Sequence, residues 1–185
     1  MPPSDQQVTE PARTPRIPTA EDFPERGPNA LAALNQRAWA RLIDTVLTSV
    51  PFFFLLYLLI LPTMGADLQP TARTDELTTQ LQPWIVVGTL LAGALYETIA
   101  VATLGKTLGK ALLGLRIARY ADGGRPDWGQ AALRALLPAA GGAVCFALLQ
   151  VSTLGLVLVL ASAYFLPLRR GWHDVAGGTV VIRTR

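Results

Sequence analysis

The chain has 185 residues, of which 51% are hydrophobic and only 16% charged, with a formal net charge of +3; soluble domains carry about 25% charged residues. A single cysteine, Cys145, and a single histidine, His173, exclude an intrachain disulfide, a cysteine metal site and any multi-histidine centre. The apolar residues come in long uninterrupted runs and the basic ones flank those runs, which points to an integral membrane protein and away from nucleic acid.

Residues 1–30 hold half of the 14 prolines and few large apolar side chains. They are expected to form a disordered, Pro-rich cytoplasmic tail, because such a segment buries too little surface to offset its ordering entropy. Pro11, Pro15 and Pro18 are spaced as a partner module would read them, although a solvated tail is the plainer reading. No basic segment followed by an apolar core stands at the start, so no cleaved signal peptide is expected. Residues 31–185 then read as one membrane domain.

The first span is expected at about 40–61, with an amphipathic lead-in from Leu31. Arg37, Arg41 and Asp44 are spaced four and three apart and share one helix face. Asp44 carries the last charge before Leu61. A charge at a membrane-helix centre costs roughly 2.5–3.5 kcal/mol, so Asp44 needs a partner or a wet cavity. Pro51 is expected to kink this helix, and Pro62 and Gly65 to end it. Residues 66–82 are polar and read as an outer loop. The second span, about 84–104, starts at the interfacial anchor Trp84 and carries Glu97 as its only charge. Asp44 lies about 10 Å of helix rise from Arg37, and Glu97 about 13 Å from Lys106. The two carboxylates are therefore expected at similar depth.

Residues 105–134 carry six of the 16 Lys and Arg residues, whereas Arg73 alone lies in the outer loop. By the positive-inside rule the N-terminus, this segment and the C-terminus face the cytoplasm. Leu115–Tyr120 and Thr179–Arg183 are β-prone and are predicted to pair as a short cytoplasmic sheet packed on the helix ends. Residues 135–168 carry no charge. One helix of that length would be about 51 Å long, too long for an untilted crossing. A hairpin turning near residues 150–155 gives spans at about 131–149 and 154–168. The alternative is an interfacial helix at 128–140 followed by one tilted span, with the C-terminus outside. The fold class is thus an all-α membrane protein: a small bundle of four, alternatively three, transmembrane helices with a two-stranded sheet.

Three pieces stand in order: RAWARLID from Arg37 to Asp44, GKTLGKALLGLR from Gly105 to Arg116, and WHDVAGGTVV from Trp172 to Val181. Together they resemble the RDD family of membrane proteins, over roughly residues 34–183. That family is named for one arginine and two aspartates. The resemblance implies that Arg37 and Asp44 form the first pair, with Arg41 an alternative to Arg37, and that Asp174 is the second aspartate. It also implies that Gly109, Lys110, Gly114 and Arg116 belong to the loop motif, and that the usual activity is transport of an unidentified ligand.

The candidate site is a polar cluster drawn from Arg37, Arg41, Asp44, Glu97, Lys106, Gly109, Lys110, Arg116, His173 and Asp174. Two bare carboxylates, Asp44 and Glu97, would repel, so one must be protonated or a cation must stand between them. Two readings stay open for them: an ion- or proton-linked role, and a structural lock between helices. The Gly105-Lys106-Thr107 triplet lacks the upstream glycine of a phosphate loop, since Ala100 stands there. His173-Asp174 lacks the further histidines of a metal phosphohydrolase. Instead Asp174 is expected to orient His173 or to pair with a basic side chain. Lys106 and Lys110 read as topology determinants that can also meet anionic headgroups.

The expected function is a small transporter, or transporter subunit, for a cation, a proton or a small solute. The alternative is a non-catalytic assembly or scaffold module that binds other membrane proteins. No nucleophile–base set supports an enzyme, and neither cofactor nor metal is called for. The expected location is the cell membrane, multi-pass. The expected partners are the bilayer and either further copies of the chain or other membrane proteins, not nucleic acid.

Overall fold

The computed structural model describes residues 19–64 and 72–185. Its helices are α1 (Leu34–Met64), α2 (Ala72–Leu104), α3 (Leu108–Leu112), α4 (Trp128–Leu149), α5 (Ser152–Ala161) and α6 (Trp172–Ala176). Its strands are β1 (Leu115–Arg119) and β2 (Thr179–Arg183). Three helical segments are long and apolar enough to cross a membrane: Leu34–Leu59, Thr79–Leu104 and Trp128–Leu149. A fourth, shorter apolar helix runs from Ser152 to Tyr164 with its 3-10 extension.

The helices pack as antiparallel neighbours. Asp44 meets Tyr96 across α1 and α2, and Glu97 meets Arg134 across α2 and α4. Helix α4 starts at a capping box between Asp127 and Gln130, which satisfies otherwise free N–H groups. It continues through Pro138 to Leu149, so no separate interfacial helix forms at 128–140. The hairpin turn comes at Gln150, whose left-handed backbone (φ 56°) ends α4 while its N–H bonds the Phe146 carbonyl. Beyond it α4 and α5 touch backbone to backbone, since a Cβ at Gly155 would overlap the Gly141 carbonyl. Small residues allow this approach where lipid gives helices no hydrophobic drive to associate.

Several boundaries differ from expectation. Residues 72–82, read as loop, form the first turns of α2, with Gln80 bonding Glu76 one turn back at 3.2 Å. A polar helix outside the hydrocarbon lacks the apolar run by which a span is recognised. Helix α1 continues past Pro62 to Met64. The fourth span, expected at 154–168, is shorter: α5 ends at Ala161 after 10 residues, a rise of about 15 Å. The chain then turns through Pro167–Arg169, where Leu168 and Arg169 take positive φ. Residues 1–18, with Pro11, Pro15 and Pro18, and residues 65–71 lie outside the described residues.

The two strands pair antiparallel, in a register from Leu115↔Arg183 to Arg119↔Thr179. The end of the tail joins the free edge of β2. There the Asn29 N–H bonds the Arg183 carbonyl at 2.9 Å, the Arg183 N–H the Ala30 carbonyl at 2.9 Å, and the Ala32 N–H the Val181 carbonyl at 3.1 Å. Alternation along the strands divides the side chains between two faces. Leu115, Ile117 and Val181 face the bundle and are buried with Ala40, Val101 and Ala131. Val180 and Ile182 face away and are covered by Phe23, Leu31 and Tyr120. Burying such a side chain is worth about 1.5–3 kcal/mol, which explains how a ribbon marginal by itself persists here.

Candidate functional site

The charged residues form a layer across the sheet end of the bundle. Helix α1 contributes Arg37, Arg41 and Asp44 from one face, around the fully buried Ala40. Helix α2 contributes Glu97, α3 Lys110, α4 Arg134 and α6 Asp174. All but Arg41 are buried to nine-tenths or more.

Glu97 is the hub. Arg41 Nη1 lies 2.5 Å from its Oε2, while Arg134 Nε and Lys110 Nζ lie 3.3 and 3.7 Å from Oε1. Arg134 continues to Asp174 Oδ1 through Nη1, which also bonds Thr179 Oγ1 at 2.7 Å. Asp174 Oδ2 takes Arg37 Nη1 at 3.3 Å and the Gly171 N–H at 3.2 Å. Arg37 also donates to the Arg169 and Val181 carbonyls at 2.5 and 3.1 Å. It thereby ties α1 to the C-terminal segment and β2.

Asp44 is held differently. Its carboxylate accepts from Thr107 Oγ1 at 2.6 Å, the Gly109 N–H at 2.8 Å and Tyr96 Oη at 3.1 Å. Its nearest cation is Lys110 Nζ at 4.0 Å. Lys110 therefore stands between the two intramembrane carboxylates, and donates to Thr107 Oγ1 at 3.4 Å. Burial, followed by repulsion from Arg41, holds its ammonium down at about 7, against the attraction of Glu97. Burial and then Arg134 push the His173 imidazole well below its usual range, so it is neutral at pH 7. The approach of α3 to α1 depends on Gly109, where a Cβ would overlap the Ala40 carbonyl and sit 3.0 Å from the Asp44 carboxylate.

A cavity lies on each side of this layer. One, of about 280 Å³, is on the sheet side between α1, α5 and α6, and is lined by Arg37, Arg41, His173 and Asp174. The other, of about 350 Å³, lies deeper in the bundle. Asp44 and Glu97 stand at its base, with hydroxyls of Thr45, Thr48, Ser49 and Thr89 around it. Arg41 lines both.

The RDD family model matches residues 31–178. The chain belongs to the RDD family. Comparison with curated proteins and with solved structures returned no match.

Among the residues that the RDD resemblance singles out, Arg37 and Asp174 bond each other and Asp44 stands apart from both. The pairing left open between Arg37 and Arg41 for Asp44 falls to neither: Arg37 goes to Asp174 and Arg41 to Glu97. A helix face carries side chains only towards what packs on it, and Asp44 faces α3. Lys106 is exposed. Arg116 bonds the Gly123 carbonyl at 3.2 Å and Asn29 Oδ1 at 3.0 Å, away from the layer. His173 lies 3.6 Å from Asp174 through Nε2. Sequence reasoning missed Arg134, the most buried cation of the layer together with Lys110. Its signal was position, since it is the last charge before the uncharged run of 135–168. It also missed Tyr96 and Thr107, neutral donors with no signal in a charge count.

Proposed function

We propose that this RDD-family membrane protein is a small proton-linked transporter or transporter subunit, in which Lys110, beside Glu97, passes a proton between Asp44 and the water of the two cavities. The observation that carries this reading is Lys110 Nζ standing 4.0 and 3.7 Å from two buried carboxylates, in a charged layer that parts two cavities. A lysine held near 7 gains and loses its proton at physiological pH. The second cavity, with Asp44, Glu97 and the Thr45, Thr48, Ser49 and Thr89 side chains on a mostly apolar wall, gives room for a cation or small solute. In this reading the N-terminus, the segment from 105 to 134 and the C-terminus face the cytoplasm, because Arg73 alone among the 16 Lys and Arg residues lies on the far side.

A second reading is supported by α1, which packs on α2 and α3 and leaves Trp39, Leu42, Val46, Val50 and Phe54 exposed. That face suits assembly with another copy or another membrane protein.

The test is reconstitution into liposomes containing a pH-sensitive dye, with proton, Na⁺ and K⁺ gradients applied in turn. The wild type is expected to move protons with at least one gradient. Lys110→Met is expected to insert and to lose at least about ten-fold of the rate, as general acid–base groups contribute 10²–10⁴-fold. A silent wild type under every gradient would leave the assembly reading in place.

A further inference from the structure

The charges of the layer do not balance. Arg37, Arg41, Lys110 and Arg134 face Asp44, Glu97 and Asp174, one cation more than acids when Lys110 is protonated, and His173 adds none. The acids are all taken, Glu97 by three cations and Asp174 by two arginines and a backbone N–H. Donors are left over. Arg37 Nε and Arg41 Nη2 are buried without a hydrogen-bond partner. Leaving a buried charged donor unsatisfied costs its full desolvation penalty. Native structures rarely leave such groups without an occupant.

Both arginines line the cavity of about 280 Å³ on the sheet side, and Arg37 is only 9% exposed. His173 Nδ1 is also without a partner, but it faces Gly171, where a Cβ would come within 2.8 Å of it. The unpartnered guanidinium donors thus belong to two α1 residues that line the cavity. The one acid on the wall, Asp174, is already neutralised by Arg37 and Arg134. The mouth is apolar: Val157 and Tyr164 from the α5 side are 58% and 63% exposed, opposite Leu34 and Ala38 of α1.

We propose that this cavity, whose wall carries Arg37, Arg41, Lys110 and Arg134 against the single acid Asp174, binds a compact oxyanion, a phosphate or carboxylate, through the Arg37 and Arg41 guanidiniums. The oxyanion supplies the missing negative charge, and guanidinium N–H groups suit its geometry. Its source is either a soluble anion or the headgroup of an acidic lipid whose chain leaves between α1 and α5 past Val157 and Tyr164. The site does not depend on the transport reading, since Arg37 and Arg41 line the cavity with unpartnered donors whether or not a proton moves, while the excess positive charge is present only when Lys110 holds its proton.

The experiment measures thermal unfolding of the full chain in nanodiscs of phosphatidylcholine alone. One arm adds inorganic phosphate against chloride of equal ionic strength. The other replaces part of the lipid by phosphatidylglycerol. Each is repeated with Ala38→Trp, which plugs the mouth from an exposed position and leaves every ion pair intact. A bound ligand at a hundred times its Kd raises Tm by about 5 °C or more in a chain of this size. A rise with phosphate in the wild type, lost in Ala38→Trp, establishes the site with a soluble oxyanion. A rise confined to phosphatidylglycerol and lost in Ala38→Trp establishes it with a lipid headgroup. No rise in either arm, or an equal rise in wild type and Ala38→Trp, overturns it.

Discussion

The two aspartates of the layer sit in contrasting settings. Asp174 is 1% exposed and lies between two arginines, with a backbone N–H on the same carboxylate. Asp44, 5% exposed, is surrounded by neutral donors, with its nearest cation among the described residues 4.0 Å away. Asp174 joins α1, α4, α6 and β2, and the Arg37–Asp174 link spans 137 residues. Asp44 joins α1 to the short α3 and looks into a hydroxyl-lined cavity. Charged donors at contact distance hold a fold. Neutral donors keep a carboxylate solvated while leaving its charge free to interact with a proton or an ion.

The largest expected effect follows from breaking the tighter half. Asp174→Asn leaves Arg37 buried without its counter-charge and Arg134 with Glu97 alone, a loss of about 3–5 kcal/mol. Thermal unfolding in detergent should fall by about 10 °C or more, and β2 amides should exchange faster because Thr179 bonds Arg134. Next is Gly109→Ala, whose methyl would overlap the Ala40 carbonyl. The α3–α1 contact must open at a cost of about 1–3 kcal/mol, visible as a lowered Tm. Asp44→Asn should cost only about 1 kcal/mol, because the amide oxygen still accepts from Gly109 and Tyr96 while the new NH2 meets the Thr107 hydroxyl, which can turn to accept. Equal losses for Asp44→Asn and Asp174→Asn would erase the contrast between the two halves.

A smaller effect concerns pH. Lys110 is lowered from 10.5 to about 7 in the folded chain. Between those values the unfolded chain holds the proton that the folded chain has lost, so stability rises with pH across that window and the contribution is flat below it. Lys110→Met removes the titrating group. From pH 7 to 10 the wild type should gain Tm relative to Lys110→Met, and identical pH profiles would show that Lys110 is not depressed. The smallest effect is for Lys106→Gln, an exposed side chain, where the change should stay within about 0.5 kcal/mol.

These outcomes also separate what the residues declared from what they concealed. Arg37, Asp44 and Glu97 could be found by counting, because a charge inside an apolar run has few places to go. The strands could be found because β-branched residues stood out among helix formers. Arg134 was hidden, since a residue at the head of an apolar stretch reads equally as loop or as the first inward-facing turn of a span. The pairing of Arg37 with Asp174 rather than Asp44 depends on how the C-terminal segment folds back, which no local pattern specifies. The end of α5 was hidden too, because uninterrupted apolar composition does not mark where a helix stops. Gly109 matched a motif, but its reason, the touching backbones of α1 and α3, exists only in three dimensions.

In the proton-linked reading proposed above, Asp174 holds the layer together while Asp44 serves its chemistry. The most direct measurement takes Asp44→Asn and Asp174→Asn side by side, recording Tm in detergent and proton flux in liposomes on the same preparations. Asp44→Asn is expected to unfold within a few degrees of wild type and to lose or pH-shift its flux, while Asp174→Asn unfolds about 10 °C or more lower. An Asp44→Asn protein destabilised as much as Asp174→Asn, with undiminished flux in the fraction that stays folded, would contradict it.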